Sequence, residues 1–235
     1  MPYPQALVLQ RNLVGAKIKG EFTPDTWLIL EHPPVYTLGR RGGRQNLTVS
    51  EEFLEAKRIP IIHVERGGDI TYHGPGQIVG YPIIDLRRAR LGVRDYVEKL
   101  EALMLRSAAH WRVSARRDPR NRGIWVGDKK IGSIGIHVRR GIAFHGFAFN
   151  VNPSLTPFAW INPCGLKGVG VTSLAAEGAG NLDLAAVGRV MQREAAHLFG
   201  ITFKAQESRE LFAHPALRRL EMSPPATPAG ASCPS

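Results

Sequence analysis

Two apolar runs, Ile131 to Val138 and Ile142 to Val151, follow one another with only Arg139-Arg140-Gly141 between them. So short a link cannot hold a helical crossover, which needs a dozen or more residues, so the runs must fold back on each other as an antiparallel hairpin. Further strand-like runs lie at Ile59 to Val64, Ile78 to Leu86, Ile124 to Val126 and Ile201 to Phe203, and Trp27 to Leu30 reads as a buried strand closed by Pro33-Pro34. Helical spacing of apolar residues marks three helices. One carries Ala6, Leu9, Leu13 and Ala16; a second runs from Arg94 to Trp111; a third runs from an Asp183 N-cap to a Gly200 C-cap. Strands that succeed each other without intervening helices predict an α/β chain of the α+β type, a mixed and largely antiparallel sheet flanked by helices.

With 235 residues, 43% of them hydrophobic, the chain can bury one good-sized core, and a single domain over residues 1–220 is expected. From residue 221 onward, prolines among small residues read as a disordered tail, 221–235. No apolar run approaches the ~20 residues of a membrane span and no basic-then-apolar leader precedes the first helix, so the expectation is a cytoplasmic protein without membrane contact. Only two cysteines are present, Cys164 in a Pro/Gly-rich loop and Cys233 in the tail, which points to free thiols in a reducing compartment. The formal charge is +11, and residues 87–122 concentrate it with eleven Arg or Lys against four Asp or Glu. Such a patch suits an acidic partner, although it serves equally as a solvated surface.

Four glycine-dense segments carry reactive side chains: Arg66 to Gln77, Lys130 to Gly135, His145 to Asn150 and Asn162 to Gly168. Glycine lets backbone N–H groups come close to a ligand, as a substrate cradle or oxyanion pocket requires. Cys164, held between Pro163 and Gly165, has no core-packing reason to be sulfur, though a lone cysteine otherwise packs as a small hydrophobe. A thiolate nucleophile needs a cation or base beside it, and Lys130, Lys167, His73 and His145 are the candidates. Lys130 also reads as one of two surface lysines at a turn, and the histidines as residues that hold turns. Gly132 and Gly135, beside Gly146 and Ala148 on the next strand, leave room for an apolar slot. No paired-ligand spacing for zinc and no Walker-type ending to the glycine stretches is present.

Taken together, Glu31 to Arg40, Arg66 to Gln77, Lys130 to Gly135, His145 to Asn150, Pro163-Cys164-Gly165 and Val171 to Leu174 resemble the octanoyltransferase family, also called lipoate-protein ligase B. The resemblance implies a fold like the biotin and lipoate protein ligases. It also implies transfer of an octanoyl or lipoyl group from acyl carrier protein to a lysine of lipoyl domains, in 2-oxoacid dehydrogenases and the glycine cleavage H protein. That is the first step of endogenous protein lipoylation. On Cys164 it places the acyl-thioester nucleophile and on Lys130 the residue that lowers the thiol pKa. Substrate contacts fall on Arg66, Gly67, Gly68, Asp69, Ile70, Thr71, Tyr72 and His73, on Ser133, Ile134 and Gly135, and on Gly146, Phe147 and Ala148. Backbone N–H groups around Gly165 or in Gly74-Pro75-Gly76 would bind the oxyanion. No cofactor is expected, neither ATP nor metal, because thioester-to-amide transfer runs downhill by itself. Two rivals remain at this level: an ATP-dependent lipoate or biotin ligase on the same scaffold, and a basic nucleic-acid-binding module, which lacks interleaved aromatics.

Overall fold

The computed structural model of the chain describes residues 1–119, 121–162, 169–206 and 208–218. Cys164 and the expected tail 221–235 lie outside the described residues. The hairpin forms: β7 (Lys129–Arg139) and β8 (Ile142–Asn150) pair antiparallel from Arg139 opposite Ile142 to Gly132 opposite Phe149. Arg140 and Gly141 make the turn with φ of 50° and 85°, the paired positive angles whose twist matches the strands. β5 (Gln77–Asp85) lies on the other side of β8, β1 (Thr26–Leu30) on β5, and β6 (Gly123–Val126) on β7, giving the order β1-β5-β8-β7-β6. β9 (Gly170–Val171) runs parallel to β7 at Lys129 and Lys130.

The Trp27 to Leu30 segment is a strand but not a buried one. It forms the sheet edge, and Ile29 is 43% exposed. The run Ile201 to Phe203 is no strand at all; it leaves the third helix as irregular chain, with Phe203 packed edge-on to Trp27. A second sheet, unforeseen except for one strand, consists of β3 (Ile61–His63), β2 (Val35–Leu38) and β4 (Ile70–His73) in that order. Its β4 lies inside the glycine-dense Arg66 to Gln77 segment. A short helix, α2 (Glu51–Ala56), also unforeseen, starts at Ser50, whose hydroxyl accepts from Phe53 N–H.

Helices cover both faces of the large sheet. α1 (Tyr3–Lys19) packs Leu9, Leu13 and Val14 against Val79, Tyr81 and Ile83 of β5 and Phe144 and Ala148 of β8. On the opposite face α3 (Val93–His110) and α4 (Leu184–Phe199) cover Ile78, Ile84, Ile131, Phe147 and Phe149. Neighbouring strand residues point to opposite faces, which is why Ile78 and Val79 belong to different cores. Asp183 accepts from the N–H groups of Ala185 and Ala186, and Gly200 closes α4 in the left-handed conformation, the two ends expected from their residue types. Each fully buried Leu here contributes roughly 1.5–3 kcal/mol. α5 (Ser208–Ala213) and α6 (Pro215–Arg218) follow, and the Leu217 carbonyl accepts from Asn12 on α1 at 3.0 Å. Among the described residues no helix is long and apolar enough to cross a membrane.

Candidate active site

A narrow slot of about 50 Å³ opens where β4 and the loop before it cross β7 and β8. Gly135 makes the crossing possible. A Cβ there would stand 2.9 Å from the Gly67 carbonyl and 3.0 Å from Arg66 Cδ, and Gly67 N–H in turn donates to the Ile136 carbonyl at 2.8 Å. The loop therefore lies flat on the strand, and Arg66, Gly68, Asp69, Ile70, Thr71 and His73 form one wall. Ser133, Ile134, Gly135, Gly146, Phe147 and Ala148 form the other.

Two of the expected contacts stand elsewhere. Gly67 is spent on the strand, and Tyr72 turns into the core of the small sheet beside Tyr36 and Phe158, since successive residues of β4 face opposite ways. Gly132 does not belong to the slot either. Its missing Cβ faces Met104 and Ile124, on the α3 side of the sheet. The slot also takes Tyr3, Val79, Tyr81 and Asn121, which the sequence did not single out; they converge from α1, β5 and the loop before β6. A wider groove of about 420 Å³ lies between β1 and α4, but of the expected residues only Phe147 borders it.

Four slot-lining residues, Tyr3, His73, Tyr81 and His145, form a buried cluster with His32. Burial, reinforced by nearby His32, pushes the His73 pKa down to about 3, and burial takes His32 to about 4. Burial likewise raises Tyr3 to about 12. These rings are therefore neutral near pH 7. His145 has φ of 55° and stands opposite the Pro82 region, where the β5–β8 ladder is interrupted. Proline offers no N–H to the ladder there, and the His145 N–H donates outside it, to Gln10 Oε1 at 2.9 Å. Burial lowers its pKa as well, and its Nε2 lies 3.7 Å from Glu65 Oε2. Gly76 N–H donates to Glu31 Oε1 at 2.8 Å, and Pro75 has no N–H, so that loop has little left to offer an oxyanion.

Lys130 is not a surface lysine; it is 4% exposed, whereas its neighbour Lys129 is out in solvent. A register shift between Ile124 and Trp125 puts Lys130 directly opposite Trp125, with Nζ 5.3 Å from the ring centroid. Lys130 lies three residues before the slot-lining Ser133 on β7. The chain on either side of residues 163–168 is anchored close by. Asn162 N–H donates to the Asn46 carbonyl at 2.8 Å, and Val171 is in register with Lys130.

The sequence profile described as the lipoyl protein ligase A/B catalytic domain matches residues 2–196. The chain belongs to that family. Among its relatives in the family, the octanoyltransferase of Desulfotalea psychrophila is 50% identical over 200 residues, 84% of this chain and 90% of the relative. The octanoyltransferase of Caldicellulosiruptor bescii is 47% identical over 174 residues, covering 73% and 76% of the two chains. In fold the family member is similar to lipoate-protein ligase A bound with ATP, with a TM-score of 0.69, 14% identity and coverage of 89% and 87%. It is equally similar to the bipartite lipoate protein ligase of Thermoplasma acidophilum, with a TM-score of 0.69, 14% identity and coverage of 89% and 86%. Those identities speak to the fold alone, and they bear out the expected lipoate-ligase architecture.

The basic segment of this family member is less free than its charge suggests. Arg117 Nε donates to Glu101 Oε2 at 3.0 Å, Arg122 lies 3.8 Å from the same oxygen, and Arg116 pairs with Asp118 at 2.9 Å. Glu101 is 2% exposed and also accepts from Gly123 N–H at 3.1 Å, so the arginines tie the loop to α3. By contrast Arg40 and Arg41 are exposed, and their backbone N–H groups bond to the carbonyls of Arg66 and Gly68 at the slot wall.

Proposed function

We propose that the chain is an octanoyltransferase that moves an octanoyl group from an acyl carrier protein thioester to a lysine of a lipoyl domain, through a thioester on Cys164. In this reading the Cys164 thiolate, stabilised by the Lys130 ammonium, attacks the carrier thioester carbonyl, and the pantetheine thiol leaves with a proton from Lys130. The acceptor amine then attacks the enzyme thioester, gives its proton back to Lys130, and the Cys164 thiolate departs. A thioester is exchanged for a thioester and then for an amide, so the second step carries the free-energy drop. Arg66, Gly68 to Thr71 and His73, with Ser133 to Gly135 and Gly146 to Ala148, hold the acyl chain, whose unbranched shape suits a narrow slot.

The observation that carries the reading is 50% identity to an octanoyltransferase across 90% of that relative's length. A lysine kept 4% exposed on the strand that also carries slot-lining Ser133 supports the mechanism, because a buried amine needs a reason to be there. Exposed Arg40 and Arg41, whose backbone is bonded to the slot-wall loop, support docking of an acidic carrier protein on that side of the molecule. In this reading the protein works in the cytoplasm.

Intact mass after mixing with octanoyl-carrier protein tests it. An octanoyl adduct should appear on the wild type and on Cys233→Ala, and should be missing from Cys164→Ser and Cys164→Ala. An adduct that survives loss of Cys164, or turnover that needs free octanoate with ATP, removes the reading and favours an acyl-adenylate ligase.

A further inference from the structure

Arg66 on the slot wall and Lys130 beyond it are joined by hydrogen bonds whose direction is settled at each step. Arg66 donates to Thr37 Oγ1 from Nη2 at 2.8 Å and from Nε at 3.3 Å. Two donors on that oxygen leave the hydroxyl proton for His73 Nε2, 3.4 Å away. His73 Nδ1 lies 2.7 Å from Gln77 Oε1. The Gln77 amide cannot be turned over, because its NH₂ faces the Tyr72 carbonyl at 3.3 Å as well as Asn150 Oδ1 at 2.9 Å. Asn150 is held in turn by donating to the Thr172 carbonyl at 2.9 Å. Backbone carbonyls only accept, so they orient both amides and with them the histidine. Nδ1 of His73 carries the proton and Nε2 the lone pair. Finally, Thr172 N–H donates to the carbonyl of Lys130 itself at 2.9 Å.

We infer that Gln77 and Asn150 are positioning residues for the acyl transfer, holding His73 and the slot wall at a fixed offset from the strand that carries Lys130. The inference rests on the proposed function. Gln77 and Asn150 are cross-strand partners on β5 and β8, both buried, at the place where the small sheet meets the large one. Neither lines the slot. A buried glutamine and asparagine whose amide oxygens and nitrogens are all hydrogen-bonded make a rigid joint, because swapping or removing one amide leaves a donor or acceptor stranded out of water. Acyl transfer is sensitive to such a joint, since a misplacement of about 1 Å between reacting groups can cost ~10²-fold in rate. His73 is then a neutral link in the chain, surrounded by His32, Tyr3, Arg66 and His145.

Gln77→Met removes both roles of the amide at nearly the same volume. Gln77→Glu still accepts from His73 but cannot donate to Asn150 or to the Tyr72 carbonyl. In steady-state transfer from octanoyl-carrier protein to a lipoyl domain, both variants should lose kcat by about 10- to 100-fold, with the donor KM within threefold of wild type. Circular dichroism should show them folded. In wild type, ¹⁵N-histidine NMR should show His73 as the Nδ1–H tautomer. A folded variant with kcat within threefold of wild type overturns the inference, as does a kcat loss that only follows the loss of folded protein, or an Nε2–H tautomer at His73. A wild type inactive on the carrier thioester removes the proposed function and this inference with it, whereas an active wild type with unaffected variants removes the inference alone.

Discussion

The Lys130 ammonium stands 5.3 Å from the centroid of the fully buried Trp125 ring. The ring face attracts a cation by roughly 0.5–2 kcal/mol, which offsets part of the cost of taking the amine out of water. Replacing the charge by an apolar side chain of similar length removes that attraction and the desolvation cost together. Under the proposed function, Lys130→Met should slow Cys164 acylation by about 10²- to 10⁴-fold, read by quenched-flow intact mass, while Tm moves by only a few degrees. A variant that acylates at the wild-type rate would sink the role given to Lys130.

Gly123 sets the path of the strand beside that amine. Its φ is 122°, and a Cβ would fall 2.2 Å from the Gly132 carbonyl oxygen and 2.9 Å from Lys130 Cε. The backbone atom cannot retreat, so Gly123→Ala should cost about 1–3 kcal/mol of stability. Urea unfolding measures it, and a loss under ~0.5 kcal/mol would show that the two strands part easily.

Glu101 joins α3 to the same corner through Arg117, Arg122 and Gly123 N–H. Glu101→Gln keeps an acceptor for Gly123 but withdraws the charge that the half-exposed arginines pair with. A loss of about 1–2 kcal/mol is expected, smaller than for a fully buried pair because solvent screens the guanidinium side. Unchanged urea midpoints at low salt would show that the loop is held by other contacts.

Under the proposed function, docking of a carrier protein separates two arginine pairs. Arg116 and Arg117 are committed to Asp118, Glu101 and backbone carbonyls, whereas Arg40 and Arg41 make no ion pair among the described residues. Reversing Arg40 and Arg41 to Glu should lower kcat/KM for the carrier substrate by about tenfold at low salt and flatten its salt dependence. The same change at Arg116 and Arg117 should act chiefly on stability. If only the second pair alters kcat/KM, the docking face is the 87–122 segment after all.

What could be read from the sequence depended on whether the signal was local. The Asp183 and Gly200 caps, the Arg140-Gly141 turn and the apolar stripe of α3 are each written within a few residues, and they formed as expected. β2 and β4 were hidden because four-residue strands between prolines and glycines carry too little periodicity to stand out. Ile201 to Phe203 has strand-like residues but no neighbouring strand to pair with, and Phe203 finds its burial against Trp27 instead. The choice between Lys129 and Lys130 rested on a register shift opposite Trp125, a property of two strands together. Gly135 signalled the slot correctly because its missing side chain faces the Arg66–Gly67 loop. Gly132, spent on Met104, shows that a glycine alone does not name its face.

The buried histidines make acid stability a test of the core beside the slot. His73 has a pKa of about 3 in the folded chain against 6.5 when unfolded, mainly because burial opposes the charge. His32 is lowered to about 4 for the same leading reason. Between those values and 6.5 the unfolded chain binds protons that the folded chain does not, so stability rises with pH. It is complete above about pH 6.5 and is lost as the pH falls toward the folded values, at up to ~1.4 kcal/mol per pH unit for each histidine. Most carboxylates have not begun to titrate at pH 5–6.5, so that window isolates the imidazoles. Urea midpoints at pH 7.5, 6.0 and 5.0 should fall steadily, and His73→Gln should flatten the slope by about one proton. A wild-type midpoint that stays level from pH 7 to 5 would mean that water reaches these rings and that the hydrogen-bonded chain through His73 opens readily.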